Sequence, residues 1–199
     1  MAAPIEAGSR TTTGSYTLPV PSWSDVMDFV IVSGGRKGSD GTPYVSGSRG
    51  DNGDVLFGSV KVRPGLSLVC FVGGSDQATT INFVSATMNA DSGPEKSSNT
   101  VTLTGALEGD PAVPTTWAVD IGTRGNGGAG GAKGDFTTTP STPGEPGSPG
   151  TGGGIFWRFR QAAQVPRLGL IRAQDVKIQN KQVQAIYVGT KKVWDKSLN

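Results

Sequence analysis

Most of the reagents that enzymes rely on are missing from this chain. It has no histidine, which excludes serine or cysteine triads built on imidazole, histidine acid-base chemistry and zinc sites with histidine ligands. A single cysteine, Cys70, can neither close an intramolecular disulfide nor supply a cysteine-rich metal site. Set inside LSLVCFV, it reads as a buried, inert small hydrophobe. Oxygen ligands for calcium are present in Asp51, Asp54, Asp76, Asp91, Glu95, Glu108 and Asp110, all in loop-like stretches, but their spacing matches no calcium-binding loop. Gly125-Asn126-Gly127-Gly128 opens no helix and belongs to no βαβ unit, so it does not read as a dinucleotide fingerprint. Arg49-Gly50-Asp51 spells an integrin-type tripeptide but falls in phase with a glycine repeat and reads as part of it. The expectation is no catalytic residue, no cofactor and no metal.

Aromatic residues are the other chemical resource. Trp23, Trp117, Trp157 and Trp194 could stack on sugars, yet each sits next to a strand, where a large ring fills a core or an interface. In IFWRFR, residues 155–160, strand alternation sends Phe156, Arg158 and Arg160 to one face and Trp157 and Phe159 to the other. Arginine beside aromatics is a composition enriched at protein interfaces. The candidate interface residues are therefore Phe156, Trp157, Arg158, Phe159 and Arg160, joined by Tyr187 and Trp194 near the C-terminus.

Strands must position these groups. The 199 residues include 19 Val and 20 Thr against 9 Leu, a β-branched bias that favours strands over helices. Strands are predicted at 15–20, 26–33, 55–63, 66–73, 80–87, 100–107, 117–121 and 155–160. The RPG turn suggests that 55–63 and 66–73 form a hairpin, the second strand buried on both faces. After a turn at AAQVPR, residues 176–179 and 183–188 read as short strands joined by NKQ, and 191–194 follows a Gly-Thr turn. This small β meander has few apolar residues and would be marginal alone.

Glycine spacing is the most specific feature. Gly35, Gly38 and Gly41 are three apart, and Gly47, Gly50 and Gly53 resume the same phase. A second run is Gly122, Gly125, Gly128, Gly131 and Gly134; a third is Gly144, Gly147, Gly150 and Gly153. Three residues per turn is the period of a polyproline II helix, and glycine at every third place lets such helices pack side by side and hydrogen-bond to one another. A linker needs no phase, so 122–134 is expected to be ordered. Residues 136–149, with TTTPSTPGEP, read instead as linker-like.

Charge divides the chain unevenly. The formal net charge is +2, but residues 155–199 carry nine Lys and Arg against two Asp. The basic end would suit an acidic docking face. MAAPIEAGSRTTTGS lacks the basic and apolar regions of a signal peptide, and no run approaches the roughly 18 apolar residues of a membrane span. Synthesis in the cytosol without export or membrane insertion is expected, and no nucleic-acid partner.

Several stretches, in order, resemble the glycine-rich minor tail proteins of tailed phages infecting actinobacteria. They are YTLPVPSW followed by DFVIVSGG, the glycine-rich loop 34–53, the strand pair ending in FVGG, the glycine-rich insertion 122–154, and the ending YVGT at 187–190 with KVW at 192–194. The resemblance covers most of the chain and is interrupted over 75–119. It implies an all-β virion structural protein of the tail tip, assembled from several copies (a homo-oligomer such as a trimer) with other virion proteins and contributing to contact with a host cell-surface glycan. The expected architecture is a β-sandwich with polyproline or polyglycine II-type segments on one edge over 1–164, and a small C-terminal β attachment module over 165–199. A capsid decoration protein and a carbohydrate-binding surface adhesin are the alternatives.

Overall fold

The computed structural model describes residues 4–83, 87–104, 116–137 and 140–161, together with the strands at 177–178, 181–182, 185–188 and 191–195. The chain divides into two compact units, Met1–Ala163 and Gln164–Asn199. The fold is all-β: the described secondary structure consists of antiparallel strands and one 3-10 turn at Ala90–Ser92. No helix among the described residues is long and apolar enough to cross a membrane.

The first unit holds β1 (Ile5–Arg10), β2 (Gly14–Pro19), β3 (Val26–Val32), β4 (Val55–Lys61), β5 (Ser67–Val72), β6 (Thr80–Asn82), β7 (Thr87–Asn89), β8 (Thr100–Thr104), β9 (Thr116–Asp120) and β10 (Gly154–Arg160). One four-stranded sheet runs β1-β10-β3-β4 and a second runs β2-β5-β6-β7. They share one buried cluster, with Met27, Phe29, Ile31, Trp157 and Phe159 from the first sheet and Leu18, Leu68, Cys70, Val72 and Ile81 from the second. On the other face of the first sheet, Val30, Val32 and Val55 pack with Val119 and Ile121 at the end of the β8–β9 hairpin. Cover on both faces explains why β3, VMDFVIV, is buried along its whole length.

Three strand expectations need correction. The segments flanking RPG do not form a hairpin, because β4 pairs with β3 and β5 with β2. The turn, with Gly65 at φ +75°, carries the chain from one sheet to the other. Burial on both faces belongs to β3 and not to β5, whose pattern alternates and leaves Val69 54% exposed. An apolar run reveals hydrophobicity but not whether a second layer lies over its outer face. The predicted strand 80–87 is instead β6 at 80–82 and the first residue of β7, which pairs with β6; residues 84–86 are outside the described ones. β1 was not anticipated. IEAGSR has little intrinsic β preference, and it becomes a strand through its ladder to β10, Ile5 opposite Arg160 through Arg10 opposite Ile155.

In the second unit, β11 (Lys177–Ile178) pairs with β12 (Lys181–Gln182), and β13 (Ala185–Val188) with β14 (Lys191–Asp195). Among the described residues the predicted strand 176–179 therefore does not pair with 183–188 as one meander: 177–178 pairs with 181–182, and 185–188 with 191–195. Val176, Gln179 and Val183 lie outside the described residues, as does the predicted strand 100–107 beyond Thr104.

The glycine-rich stretches continue the first sheet. Segment I (34–42) leaves β3, segment II (45–53) returns to β4, segment III (125–134) follows β9, and segment IV (142–153) enters β10. Arg36, Ser39 and Thr42 of I donate N–H bonds of 2.8–2.9 Å to the carbonyls of Asp51, Ser48 and Val45 of II. Gly35, Gly38 and Gly41 of I donate at 2.8–3.0 Å to Thr151, Ser148 and Glu145 of IV. Segment III donates from Gly128, Gly131 and Gly134 to Arg36, Ser39 and Thr42, and accepts from Gly53, Gly50 and Gly47 of II and from Glu145, Ser148 and Thr151 of IV. Every ladder has a period of three, that of the polyproline II helix.

Among the described residues five pairs of segments are in contact, and five glycine series serve them. At each interface the carbonyls of one segment occupy the space that a Cβ on the other would fill. Gly47, Gly50 and Gly53 of II face carbonyls of Ser39, Arg36 and Ser33, and Gly35, Gly38 and Gly41 of I face those of Asn126, Ala129 and Ala132. Gly144, Gly147 and Gly150 of IV face Gly41, Gly38 and Gly35. Segment III supplies two series: Gly128, Gly131 and Gly134 toward IV, and Gly127 and Gly130 toward II. Contact on three sides is why its sequence, GNGGAGGAKG, doubles its glycines.

Segment IV overturns the linker reading over its described residues, 140–149. Pro140, Pro143, Pro146 and Pro149 are themselves three apart and exposed. The N–H donors to segment III come from Glu145, Ser148 and Thr151, so proline stands where no donor is required. Its fixed φ suits the extended helix.

Replacing Gly131 by Val should abolish cooperative folding of the first unit, and Gly131→Ala should cost about 3 kcal/mol or more, because the obstruction is main chain that cannot rotate aside. Ala129→Ser, at an exposed position of the same segment, should change stability by less than about 0.5 kcal/mol. Thermal unfolding of the three variants checks this.

Candidate functional site

The loops at the sheet end of the bundle gather the carboxylates that are scattered in sequence. Asp51, Asp54, Asp76, Asp91 and Glu95 line one open cleft of about 600 Å³, together with Ser33, Asn52, Gln77 and the cation Arg36. Segment II brings Asp51, its junction with β4 brings Asp54, the loop after β5 brings Asp76, and the stretch after β7 brings Asp91 and Glu95. That last stretch is held beside segment II by Val55 N–H on Pro94 (2.8 Å) and Lys96 N–H on Gly53 (2.9 Å). Asp76 has a φ of +60° and accepts from Lys37 N–H at 3.2 Å.

Burial, and then the charges of Asp91 and Glu95, push the Asp54 carboxyl above its ordinary range, with Arg36 opposing. Other members of the cleft already accept hydrogen bonds: Asp91 from the Ser33 hydroxyl and Glu95 from Asn52 N–H at 3.0 Å. The cleft concentrates negative charge, but among the described residues no three of these groups converge to hold a metal ion. Glu108 and Asp110 lie outside the described residues.

The IFWRFR strand is placed in the interior. Alternation holds: Trp157 and Phe159 enter the shared core, while Phe156 joins the cluster on the opposite face. Arg158 and Arg160, 6% and 5% exposed, converge on Asp28 of β3. Arg158 Nη2 lies 2.7 Å and Arg160 Nε 3.0 Å from Asp28 Oδ2, and the Ser59 hydroxyl donates to Oδ1 at 2.6 Å. Arg158 also lies over the Trp117 ring at 5.1 Å. As candidate interface residues Trp157, Arg158, Phe159 and Arg160 are thus corrected to interior ones: their surface is consumed by packing and by Asp28 within the unit itself. Phe156 is half-buried. Tyr187 and Trp194 lie in β13 and β14, with side chains outside the described residues.

Of the remaining tryptophans, Trp23 packs against the shared core and Trp117 against the outer cluster. Cys70, 2% exposed, has its thiol pushed up to about 11 by burial. Asp28 was missed by the reading from sequence, although a lone acid inside VMDFVIV opposite paired arginines in IFWRFR was a visible signal.

Exposed apolar surface collects at the other end of the bundle. The turn from I to II and residues 135–137 after III lie together there, because I and III run parallel. Tyr44 and Phe136 stack with ring centroids 5.5 Å apart; they are 69% and 55% exposed, beside Val45 at 64%. Comparison with protein-family models and with curated proteins finds no match.

Burial pushes the Asp28 carboxyl up, but hydrogen bonds from Arg160, Ser59 and Arg158 outweigh it and hold the carboxyl below its ordinary value. The unfolded chain therefore binds this proton more readily, so the stabilisation is present above the unfolded value near 3.8 and is lost as pH falls toward the folded one. Asp28→Asn should flatten that acid limb and, by leaving two buried guanidinium groups uncompensated, cost about 3–5 kcal/mol at neutral pH. Denaturant unfolding between pH 3 and 7, relative to wild type, measures both effects.

Proposed function

We propose that the chain is a structural component of a phage virion, a minor tail protein of the tail tip that works by assembly and surface contact and not by catalysis. The observation that carries this reading is the glycine bundle: four segments interlocked through their main chains, continuous with a sheet at one end and presenting Tyr44, Val45 and Phe136 to solvent at the other. Such a bundle holds loops at a distance from a β core without needing a large core of its own. The ordered motifs that resemble those of glycine-rich phage tail proteins support the biological setting.

The chemistry agrees with a role without turnover. The chain lacks imidazole, its one thiol is buried and poorly ionised, and the cleft carboxylates at Asp91 and Glu95 already accept internal donors. In this reading the aromatic loop end is the contact surface, with a host cell-surface glycan as its partner, and the basic second unit docks on neighbouring virion proteins within a homo-oligomeric assembly. Exposed rings suit the apolar faces of sugars.

Antibody labelling of intact particles under the electron microscope should mark the tail tip; label confined to the capsid shell would replace this reading with that of a decoration protein. The double variant Tyr44→Ala, Phe136→Ala should keep the melting temperature within a few degrees, since both residues are exposed, and should lower particle adsorption to host cells at least tenfold. Unchanged adsorption would remove the loop end from host contact.

A further inference from the structure

Lys96 stands out among the ionisable groups. It is 5% exposed, and among the described residues no carboxylate lies within ion-pair distance of it. Its Nζ donates instead to the carbonyl of Gly122 at 2.7 Å and to Oδ1 of Asn126 at 2.6 Å. We propose that Lys96 and Asn126 form a side-chain isopeptide bond with loss of ammonia.

The geometry brings the two reacting groups together: Nζ is hydrogen-bonded to Oδ1 at 2.6 Å, and Oδ1 is one carbonyl bond of about 1.23 Å from Asn126 Cγ. Both main chains are held. Lys96 N–H donates to Gly53 at 2.9 Å, and its carbonyl accepts from Asn52 Nδ2 at 3.0 Å. Asn126 N–H donates to Thr151 Oγ1 at 2.8 Å, and its carbonyl accepts from Thr151 N–H at 2.8 Å. Rotation of the amide about its Cβ–Cγ bond would turn the carbonyl face toward the amine.

Attack requires a neutral amine. Burial, and then the charge of Arg49, hold the Lys96 pKa below its ordinary value, with Asp120 opposing. The neutral fraction is thereby raised. In the step, the Nζ lone pair forms the new bond to Cγ, the bond from Cγ to the amide nitrogen breaks, and one hydrogen from Nζ leaves with that nitrogen as ammonia. No oxidant or other reactant is consumed. Asp120 is the carboxylate whose charge reaches Lys96, and its Oδ1 accepts the Gly122 N–H at 2.8 Å, next to the carbonyl that binds Nζ.

A competing nucleophile is restrained. Asn126 precedes a glycine, whose nitrogen could close a succinimide on the same side chain, but Gly127 N–H is held by Asn52 Oδ1 at 3.1 Å. The isopeptide bond would tie the residue leading into β8 to the start of segment III. It would close a covalent ring through the β8–β9 hairpin at the junction between the sheet and the glycine bundle, where pulling on the loop end would be transmitted.

Intact-mass measurement of the purified full chain, kept folded at pH 8 for several days, should show a species lighter than the sequence mass by about 17 Da, the mass of ammonia. A digest should yield one branched peptide containing both Lys96 and Asn126. Lys96→Arg should keep the full mass. Folded wild-type protein, verified by circular dichroism, that retains its full mass would overturn the proposal. The same mass loss without a branched peptide, or persisting in Lys96→Arg, would also overturn it, since Gly127 would then be the nucleophile. Should Lys96→Arg fail to fold, the wild-type mass and peptide map decide alone.

Discussion

A carbonyl oxygen lodged where a side chain would begin is the contact on which the first unit depends. It recurs with a period of three at each of the five described interfaces of the glycine bundle, and at each one partner supplies glycine. Removing Cβ brings two main chains close enough for direct N–H to carbonyl bonding, which satisfies polar groups that an isolated extended helix leaves to water. The arrangement buries backbone instead of apolar side chains. Residues between the glycines are free to be charged, and Arg36, Lys37, Asp40, Arg49 and Lys133 are all exposed.

The bundle can exist only because the sheet presents its strands in the right order. In the first sheet β10 and β4 flank β3, and beyond its end segments IV and II flank segment I in the same antiparallel sense. The ladder changes from period two to period three, and segment III enters as a fourth member touching the other three. β3 is thus the axis of the unit. Its inner face builds the core, its outer face holds Val30, Val32 and the Asp28 cluster, and its end launches the first glycine segment. The two arginines on Asp28 fasten β10 to β3, and through it the return of segment IV to the place where segment I departs.

Junction loops then acquire chemistry that their own sequences do not possess. The acidic cleft collects carboxylates from segment II and its junction with β4 and from the loops following β5 and β7, and burial, with the charges of Asp91 and Glu95 after it, raises Asp54. Lys96 is buried against Gly122 and Asn126 because the strand-like stretch 94–96 adds to the edge of segment II just where segment III begins. At the opposite end the same geometry brings Tyr44 and Phe136 together across 92 residues of sequence.

Local composition was enough for part of this. β-branched bias indicated an all-β chain, the apolar run at VMDFVIVS marked β3, alternation in IFWRFR assigned its side chains to opposite faces, and phased glycines announced the packing of 127–134, whereas Gly122 and Gly125 instead turn the chain at positive φ. These signals are legible because each arises from a residue's own backbone preference or from the repeat of a single element. Pairing was not legible: β4 and β5 looked like a hairpin because their turn is short, yet each found its partner elsewhere. β1 has no propensity signal and is made a strand by β10. Prolines in segment IV suggested a linker until the bundle showed that their position needs no donor. The interior role of Arg158 and Arg160, and the meeting of Lys96 with Asn126, depend on elements far apart in the chain, so only tertiary structure, which decides which backbones lie side by side, determined them.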